Sequence, residues 1–380
     1  MKRSLFNGKL ILILASGTLL LSACNTNNVN DDETTTPSNI ENIFISELFV
    51  GSSLEDGVLE LGSTSENEIS LHGFTVNFYN SKGVEKFYTF KDEIISKNKL
   101  VIFKTNENVY YQDNINTVIN LDADVIYGRN YIELLDKENK LIDCVGYKKI
   151  NVSYLNNHSM VRLKEKQVSN HKFDNLNFIK IKAENKNYLG NLNAPLTQEE
   201  IISGPRLSEE VYGNQKYSEN DKPYGGYVNV TISSYVDGDT TYFKFPSSAN
   251  VGTGTQKVRY LLIDTPEIDH GSGAEPYGDA AKKFTDDKLK SATSVIVQSN
   301  KDFALRENYD RLLGYVWYTT DPSKDLVSYR LLNFELVLNG LAKFSTYNEY
   351  ETMYYKDVLY FNYFEYGYET AVDKKINIYS

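Results

Sequence analysis

Hydrophobic and polar positions divide the chain into stretches of different rhythm. Between Ile40 and about Pro195, apolar residues come in short runs separated by turn clusters such as Asn80-Ser-Lys-Gly83 and Asp136-Lys-Glu-Asn139. The runs are Ile43–Leu48, Val58–Leu61, Leu71–Tyr79, Lys99–Phe103, Tyr131–Leu135 and Leu141–Val145. Strands at this spacing predict an all-β sandwich over 40–196. The polar tract at 25–39 can bury no core and reads as a flexible tether, and a second polar stretch at 197–224 reads as a linker with room for a short helix at Gln198–Ile202. From Gly225 the rhythm changes. Tyr227–Val236 alternates as a strand, and Thr240–Phe245 pairs with it after a turn. A polar loop, 246–255, then leads to Val258–Ile263. There Val258, Tyr260 and Leu262 alternate with Arg259, Leu261 and Ile263, which predicts one strand with Arg259 pointing out of it ahead of Asp264. Pro276–Leu289 has helical periodicity, with Ala281, Phe284 and Leu289 inward. Val295–Val297 and Leu313–Tyr318 are further strands. Leu326–Leu338 reads as a second helix stopped by Asn339-Gly340, and Glu349–Lys374 as a third, tyrosine-rich one. The second domain, 225–380, is therefore α+β, with five strands and about three helices.

Length and composition change this picture little. The 380 residues leave room for two or three domains with sizeable cores. A formal charge of −11 argues against a surface coated in phosphate-binding lysines, but it leaves room for a small cationic cleft. The 30 tyrosines and 18 phenylalanines reflect coding bias first and aromatic binding surfaces second. Residues 1–24 have a targeting pattern: Lys2 and Arg3, an apolar run from Leu10 to Leu21, then Leu21-Ser-Ala-Cys24. The last four resemble the bacterial lipoprotein box. That resemblance implies a diacylglycerol on Cys24, cleavage before it, and a protein held at the membrane facing outward. Cys144 is then the remaining cysteine, so no intrachain disulfide forms, and its apolar run makes it a small core residue.

The chemistry concentrates in two stretches, Tyr235-Val-Asp-Gly-Asp-Thr240 and Val258-Arg-Tyr-Leu-Leu-Ile-Asp-Thr-Pro-Glu267. Each is an apolar run ending in carboxylates: Asp237 and Asp239, then Asp264 and Glu267. Strand ends hold side chains still. Asp237-Gly238-Asp239 reads as a tight turn in which Gly238 is free to take positive φ. Hard oxygen ligands suit Ca²⁺, and a guanidinium such as Arg259 grips a phosphate through paired hydrogen bonds. Taken singly, the same residues also fit plain roles as a hairpin cap, surface ion-pair partners and a solvated loop carboxylate.

The ordered set Asp-Gly-Asp-Thr, Arg259-x-x-x-x-Asp-Thr-Pro-Glu267, Tyr277-Gly278, Asn308-Tyr-Asp-Arg311, Asn339-Gly-Leu-Ala-Lys343 and Lys375–Ser380 resembles the thermonuclease family, from roughly Gly226 to the end. The resemblance implies an oligonucleotide-binding barrel and Ca²⁺-dependent hydrolysis of DNA and RNA to 3′-phosphate and 5′-hydroxyl ends. It places metal ligands at Asp239, Asp264 and the Thr265 carbonyl, with Asp237 supporting them. It makes Glu267 the base and puts the phosphate-gripping arginines at Arg259 and Arg311. Tyr309 and Tyr347 are available as stacking platforms. Two departures stand out. The family's Tyr-Gly-Arg reads Tyr309-Asp310-Arg311, where Asp310 either competes with phosphate for the arginine or alters the approach of its backbone. The tyrosine pair after the second helix is replaced by Phe344-Ser-Thr-Tyr347. The domain is also acidic where the best-known member is basic, which predicts weaker, more salt-sensitive binding of long polymers.

In the first half, Ile45-Ser-Glu47, Leu59-Glu-Leu61, Leu71-His-Gly-Phe74, Ser159-Met-Val-Arg162 and Leu189–Pro195 resemble a lamin-tail domain. This implies an immunoglobulin-like sandwich with a binding or spacing role. Its carboxylates read as solvated positions, and His72, His158 and His171 as turn or packing residues. Nucleic acid, a cell-wall polymer or no ligand all remain open for it. Two other classes stay beside the nuclease: a non-catalytic nucleic-acid-binding module and an adhesin-type surface lipoprotein.

Overall fold

β-rich runs in the first half pair into two sheets. The larger has six strands in the order β12 (Phe178–Lys182), β11 (His158–Arg162), β1 (Ile43–Val50), β2 (Gly57–Ser63), β7 (Leu100–Lys104) and β8 (Ile115–Asn120). The smaller has four: β10 (Leu141–Val145), β9 (Tyr131–Leu135), β4 (Thr75–Asn80) and β5 (Gly83–Thr89). β3 (Ile69–Ser70) and β6 (Ile94–Ile95) form a separate short pair. This is a computed structural model, and it describes residues 39–51, 57–105, 115–121, 125–148, 154–155, 157–182, 188–207, 217, 225–252, 254–268, 273–300, 304–344 and 360–380. Cys24 and Tyr347 lie outside the described residues.

One apolar core joins the two sheets, with Ile45, Leu59 and Phe103 from the larger meeting Val76, Phe78 and Leu134 from the smaller. Leu71–Tyr79 is not one strand. The chain turns at Leu71–Gly73, with Gly73 at φ 79°, and β4 starts at Thr75. The carboxylates here are not all solvated either. Glu47 and Glu60 are register partners on β1 and β2, strands covered on both faces. Glu60 accepts hydrogen bonds from the Ser46 hydroxyl and the Gly190 N–H, both at 2.6 Å, and the Ser159 hydroxyl donates to Glu47. Burial pushes Glu47 up to about 8 and Glu60 up to about 7. Asp143 is buried against Arg162 at 2.5 Å. Cys144 is a buried free thiol, as its apolar run predicts.

In the second half, β15 (Thr255–Tyr260), β14 (Thr240–Lys244), β13 (Tyr227–Tyr235), β17 (Ser294–Gln298), β18 (Leu312–Thr319) and β19 (Arg330–Leu331) are neighbours in that order. A parallel pairing of β15 with β18 closes the first five into a barrel. β13 is long enough to serve both sides. Its start pairs with β17, its end with β14, and a register shift between Ile232 and Ser234 bends it. Val258, Leu312, Val316 and Trp317 fill the core. The buried Trp317 indole donates to the Gln298 side-chain carbonyl at 2.9 Å.

Four helices are described: α1 (Gln198–Ile202), α2 (Gly278–Ser291), α3 (Leu332–Leu338) and α4 (Phe361–Asp373). A Thr197–Glu200 capping box starts α1. In α2, Ala281 and Leu289 face inward as the periodicity requires, but Thr285 takes the buried place between them and Phe284 is half-buried. The helix expected at Leu326–Leu338 shrinks to α3, because Arg330–Leu331 is claimed by pairing with β18 and Leu326–Ser328 forms a 3₁₀ turn. Of the tyrosine-rich helix, α4 is described and 345–359 is not.

Two polar residues tie α3 to the barrel: Glu335 accepts the Tyr318 hydroxyl at 2.7 Å, and Asn333 bonds three backbone groups. The buried Asn333 amide donates to the carbonyls of Leu261 at 3.0 Å and Gly314 at 3.2 Å, and its oxygen accepts the Val316 N–H at 2.8 Å. α4 packs on both halves. Phe364 enters the barrel core, and Tyr366 joins Val161, Ile179 and Ile181 of the larger sheet. Lys180 and Glu365 pair across that seam at 2.7 Å. Residues 39–380 form one compact unit.

Candidate active site

Topology brings the two carboxylate-ended stretches together. Thr240 on β14 is the register partner of Arg259 on β15, and the Asp239 carbonyl accepts the Tyr260 N–H at 2.9 Å. Asp239 therefore sits beside Arg259 at the end of the β13–β14 hairpin. The parallel β15–β18 pairing sets Val258 opposite Leu312, which places Arg311 at the entrance of the adjacent strand.

The predicted single strand from Val258 to Ile263 is broken. β15 ends at Tyr260, the chain turns at Leu261–Leu262 with Leu262 at φ 65°, and a two-residue strand β16 (Ile263–Asp264) pairs with β20 (Lys343–Phe344). A branched side chain in the left-handed region is strained, and such strain persists where its surroundings enforce it. Here Asn333 holds the Leu261 carbonyl. The turn folds Asp264 back over Arg259. Arg259 thus does not point outward. It is 4 % exposed, with Nη1 at 2.8 Å from Asp239 Oδ2 and Nη2 at 2.7 Å from Asp264 Oδ1.

Thr265 completes the network. Its N–H and hydroxyl both donate to Asp239 Oδ2, at 2.8 and 3.0 Å, while the Thr240 hydroxyl donates to Oδ1 at 3.0 Å. Asp237 accepts the Asp239 N–H at 3.1 Å and shapes the turn. Gly238 is not in the left-handed region. It is required for space: a Cβ there would lie 2.8 Å from Thr265 Cγ2 and 2.9 Å from Ala281 Cβ. The Thr285 hydroxyl donates to the Gly238 carbonyl at 2.6 Å, fixing the turn to α2. Gly238→Ala is therefore expected to cost about 1–3 kcal/mol through overpacking, read as a lower denaturation midpoint. An unchanged midpoint would mean that the contact relaxes freely.

Burial and the nearby Asp239 charge push Asp237 up to about 6. Burial also raises Asp264, against the opposing pull of Arg259. Between its ordinary 3.8 and about 6, native Asp237 keeps a proton that the unfolded chain releases. Its contribution to stability is present below that window and is lost as pH rises through it. Asp237→Asn is expected to flatten this part of the stability–pH curve, measured by urea denaturation across pH 4–7. An unchanged slope would assign the dependence to other groups.

Glu267 lies two residues beyond Thr265 with its side chain exposed. Its backbone is held at both ends: its N–H donates to Glu275 Oε2 at 3.0 Å, and its carbonyl accepts the Glu275 N–H at 2.9 Å. Gly278 packs on the same carbonyl, where a Cβ would lie at 2.4 Å. Arg311 is gripped by Glu307 through two donors, Nε and Nη2, the latter at 2.9 Å. Glu307 is thus the carboxylate that occupies the Arg311 guanidinium. The Asp310 carboxylate lies at 3.4 Å from Arg306. Tyr309 is 82 % exposed at the tip of this turn.

Asp237, Asp239, Arg259, Asp264 and Thr265 form one network, while Glu267 and Arg311 are held by separate partners, Glu275 and Glu307. Of these partners, Glu307 alone carries a sequence cue, its i,i+4 spacing to Arg311. Glu275, Thr285 and Asn333 carry none.

A hard divalent cation fits the donor set in kind and in charge. Three carboxylates, on Asp237, Asp239 and Asp264, outnumber the two cations that act on them, the Arg259 guanidinium and, at Asp264, Lys343. Among the described residues, no group of three or more acidic, His or Cys side chains is already gathered around one point. A cation would have to enter against the hold of Arg259.

No curated protein matches the chain. The family model described as "Staphylococcal nuclease homologue" matches residues 257–378, a span that takes in Arg259, Asp264, Glu267 and Arg311 but begins after the Asp237–Asp239 turn. With the five-stranded barrel and its helices, this match identifies the C-terminal part of the chain as similar to the staphylococcal nucleases, a likeness that suggests a nuclease.

Proposed function

We propose that the chain is a Ca²⁺-dependent nuclease that hydrolyses phosphodiester bonds of DNA and RNA to 3′-phosphate and 5′-hydroxyl ends. The observation that carries this reading is the single network joining Asp239, Arg259, Asp264 and Thr265 from two separated stretches. Asp239, Asp264 and the Thr265 carbonyl would hold the cation, with Asp237 behind them. When bound, the ion supplies Lewis-acid stabilisation of phosphate charge.

The remaining chemistry belongs to side chains. Arg259 and Arg311 exchange their carboxylate partners for phosphate oxygens and stabilise charge as it builds there. Glu267 takes a proton from the attacking water. The new P–O bond forms as the bond to the 5′ oxygen breaks, and that oxygen leaves as a hydroxyl after taking up a proton. Exposed Tyr309 offers a face for a base. Labelled oligonucleotides test this assignment: products ending in 3′-phosphate support it, and 5′-phosphate ends reject it.

The pattern around Cys24 supports a lipid anchor on the outer side of a bacterial membrane, with 25–39 as tether. Cys24→Ala should then release activity from membranes into the medium. The first half, resembling a lamin-tail sandwich, would act as a spacer or binding module.

A further inference from the structure

The polar loop at 246–255 has no part in the chemistry above. Its middle is nonetheless fixed. Ala249 and Val251 are buried in the barrel core, and Asn250 between them turns the chain at φ 49°. Against this loop lies Arg306, which neither composition nor motif singles out. Its Nη2 donates to the Val251 carbonyl at 2.6 Å and to Gln256 Oε1 at 3.0 Å. Its Nη1 donates to the Asp310 carbonyl at 2.8 Å.

That last contact matters most. The Asp310 carbonyl belongs to the peptide group that also contains the Arg311 N–H. The turn around it is tight: Asp310 N–H donates to the Glu307 carbonyl at 3.0 Å, Glu307 N–H donates to the Arg311 carbonyl at 3.1 Å, and Asp310 sits at φ 62°. Glu307 orients the Arg311 guanidinium, and Arg306 orients the peptide plane from which that side chain springs. One planar fork spans the loop and the turn, bonding carbonyl groups on both sides. A lysine ammonium has no such span.

We propose that Arg306 is a positioning residue of the phosphate site, using the core-anchored Ala249–Val251 segment and Gln256 at the start of β15 as a fixed post to hold the Tyr309–Arg311 turn. This rests on the nuclease reading. Through Arg306 the loop sets where Arg311 meets the scissile phosphate.

A displacement of about 1 Å at a catalytic group costs up to roughly 100-fold in rate. Steady-state kinetics on a short single-stranded DNA with Ca²⁺ would compare wild type, Arg306→Ala, Arg306→Lys, Gln256→Ala, Arg311→Ala and the Arg306→Ala/Arg311→Ala double variant. Arg306→Ala is expected to lower kcat about 10- to 100-fold with KM within about 3-fold, because the interaction it supports is made in the transition state. Arg306→Lys should recover little of this loss, and Gln256→Ala, which removes one tie, should cost less than about 5-fold. In the Arg311→Ala background the Arg306 substitution should change kcat by less than about 2-fold, since its effect runs through Arg311. Arg306→Lys and Gln256→Ala carry the test if Arg306→Ala does not fold. Unaltered kcat in the folded variants, or an equal loss with and without Arg311, would overturn the proposal while leaving the nuclease reading in place. A wild-type chain that does not cleave would end both.

Discussion

Glu267→Gln is expected to lower kcat by about 10²- to 10⁴-fold, the range for loss of a positioned general base. The substitution keeps size and shape and removes only the capacity to take a proton. Nothing in the fold should change with it. The Glu267 side chain is exposed, and the bonds that hold its segment run through its backbone N–H and carbonyl to Glu275. The melting temperature should therefore stay within error of wild type while turnover collapses. Retention of more than about a tenth of wild-type kcat would remove Glu267 from the base role, and a fall in stability of the same variant would show the side chain to be structural.

The second large effect lies at Arg259. Arg259→Met is expected to destabilise the chain by roughly 3–5 kcal/mol, the cost of leaving a buried charge without its partner, and to abolish cleavage. The guanidinium is buried between Asp239 and Asp264, and Asp239 is itself buried. Without it, buried Asp239 loses its ion-pair partner, and Asp264 keeps only the charge of Lys343 nearby. The same variant tests the divalent site. An ion that binds the native carboxylates raises apparent stability by mass action. Saturating Ca²⁺ should therefore raise the melting temperature of Arg259→Met by more than that of wild type, because it enters a site that the guanidinium no longer contests. Equal responses would mean that the carboxylates do not gather around an ion. Stability close to wild type would mean that they are already neutralised by protons.

The reach of the sequence pattern follows from what each feature depends on. The β13–β14 hairpin is local: alternation, then Asp-Gly-Asp, then alternation again, so its position and the site at its tip can be read directly. Closure of the barrel depends on β15 lying parallel to β18, strands more than fifty residues apart, and no local rhythm encodes that contact. Alternation misplaces Arg259 for a related reason. It gives Arg259 a face within β15, but the turn at Leu262, with a positive φ that bulky residues rarely adopt, folds Asp264 back over that face. Gly238 does sit in the expected turn but for a different cause, since the crowding by Thr265 and Ala281 comes from segments that fold over it later in the chain. The sandwich carboxylates Glu47 and Glu60 follow the same logic. They look solvated until Gly190 and its neighbours cover the outer face of the sheet. Helix α3 is shorter than its apolar run because β18 takes Arg330 and Leu331 as strand partners, a tertiary claim that overrides helical periodicity.

The partners of the catalytic candidates lie furthest from sequence logic. Glu275 fixes the Glu267 segment from eight residues on, and Asn333 supports the Leu261–Leu262 turn from a helix more than seventy residues later in the chain. Both act through backbone groups, and a hydrogen bond to a distant carbonyl leaves no periodicity behind. Arg306 belongs with them.

The most direct test of a Ca²⁺-dependent nuclease is the initial rate of single-stranded DNA cleavage as a function of Ca²⁺ concentration, for wild type and Asp264→Ala side by side. The wild-type rate should saturate with Ca²⁺ and fall to background with a chelator, and Asp264→Ala should show no Ca²⁺-dependent cleavage at any concentration. Cleavage absent from wild type throughout, or equal in the two proteins, would contradict that function.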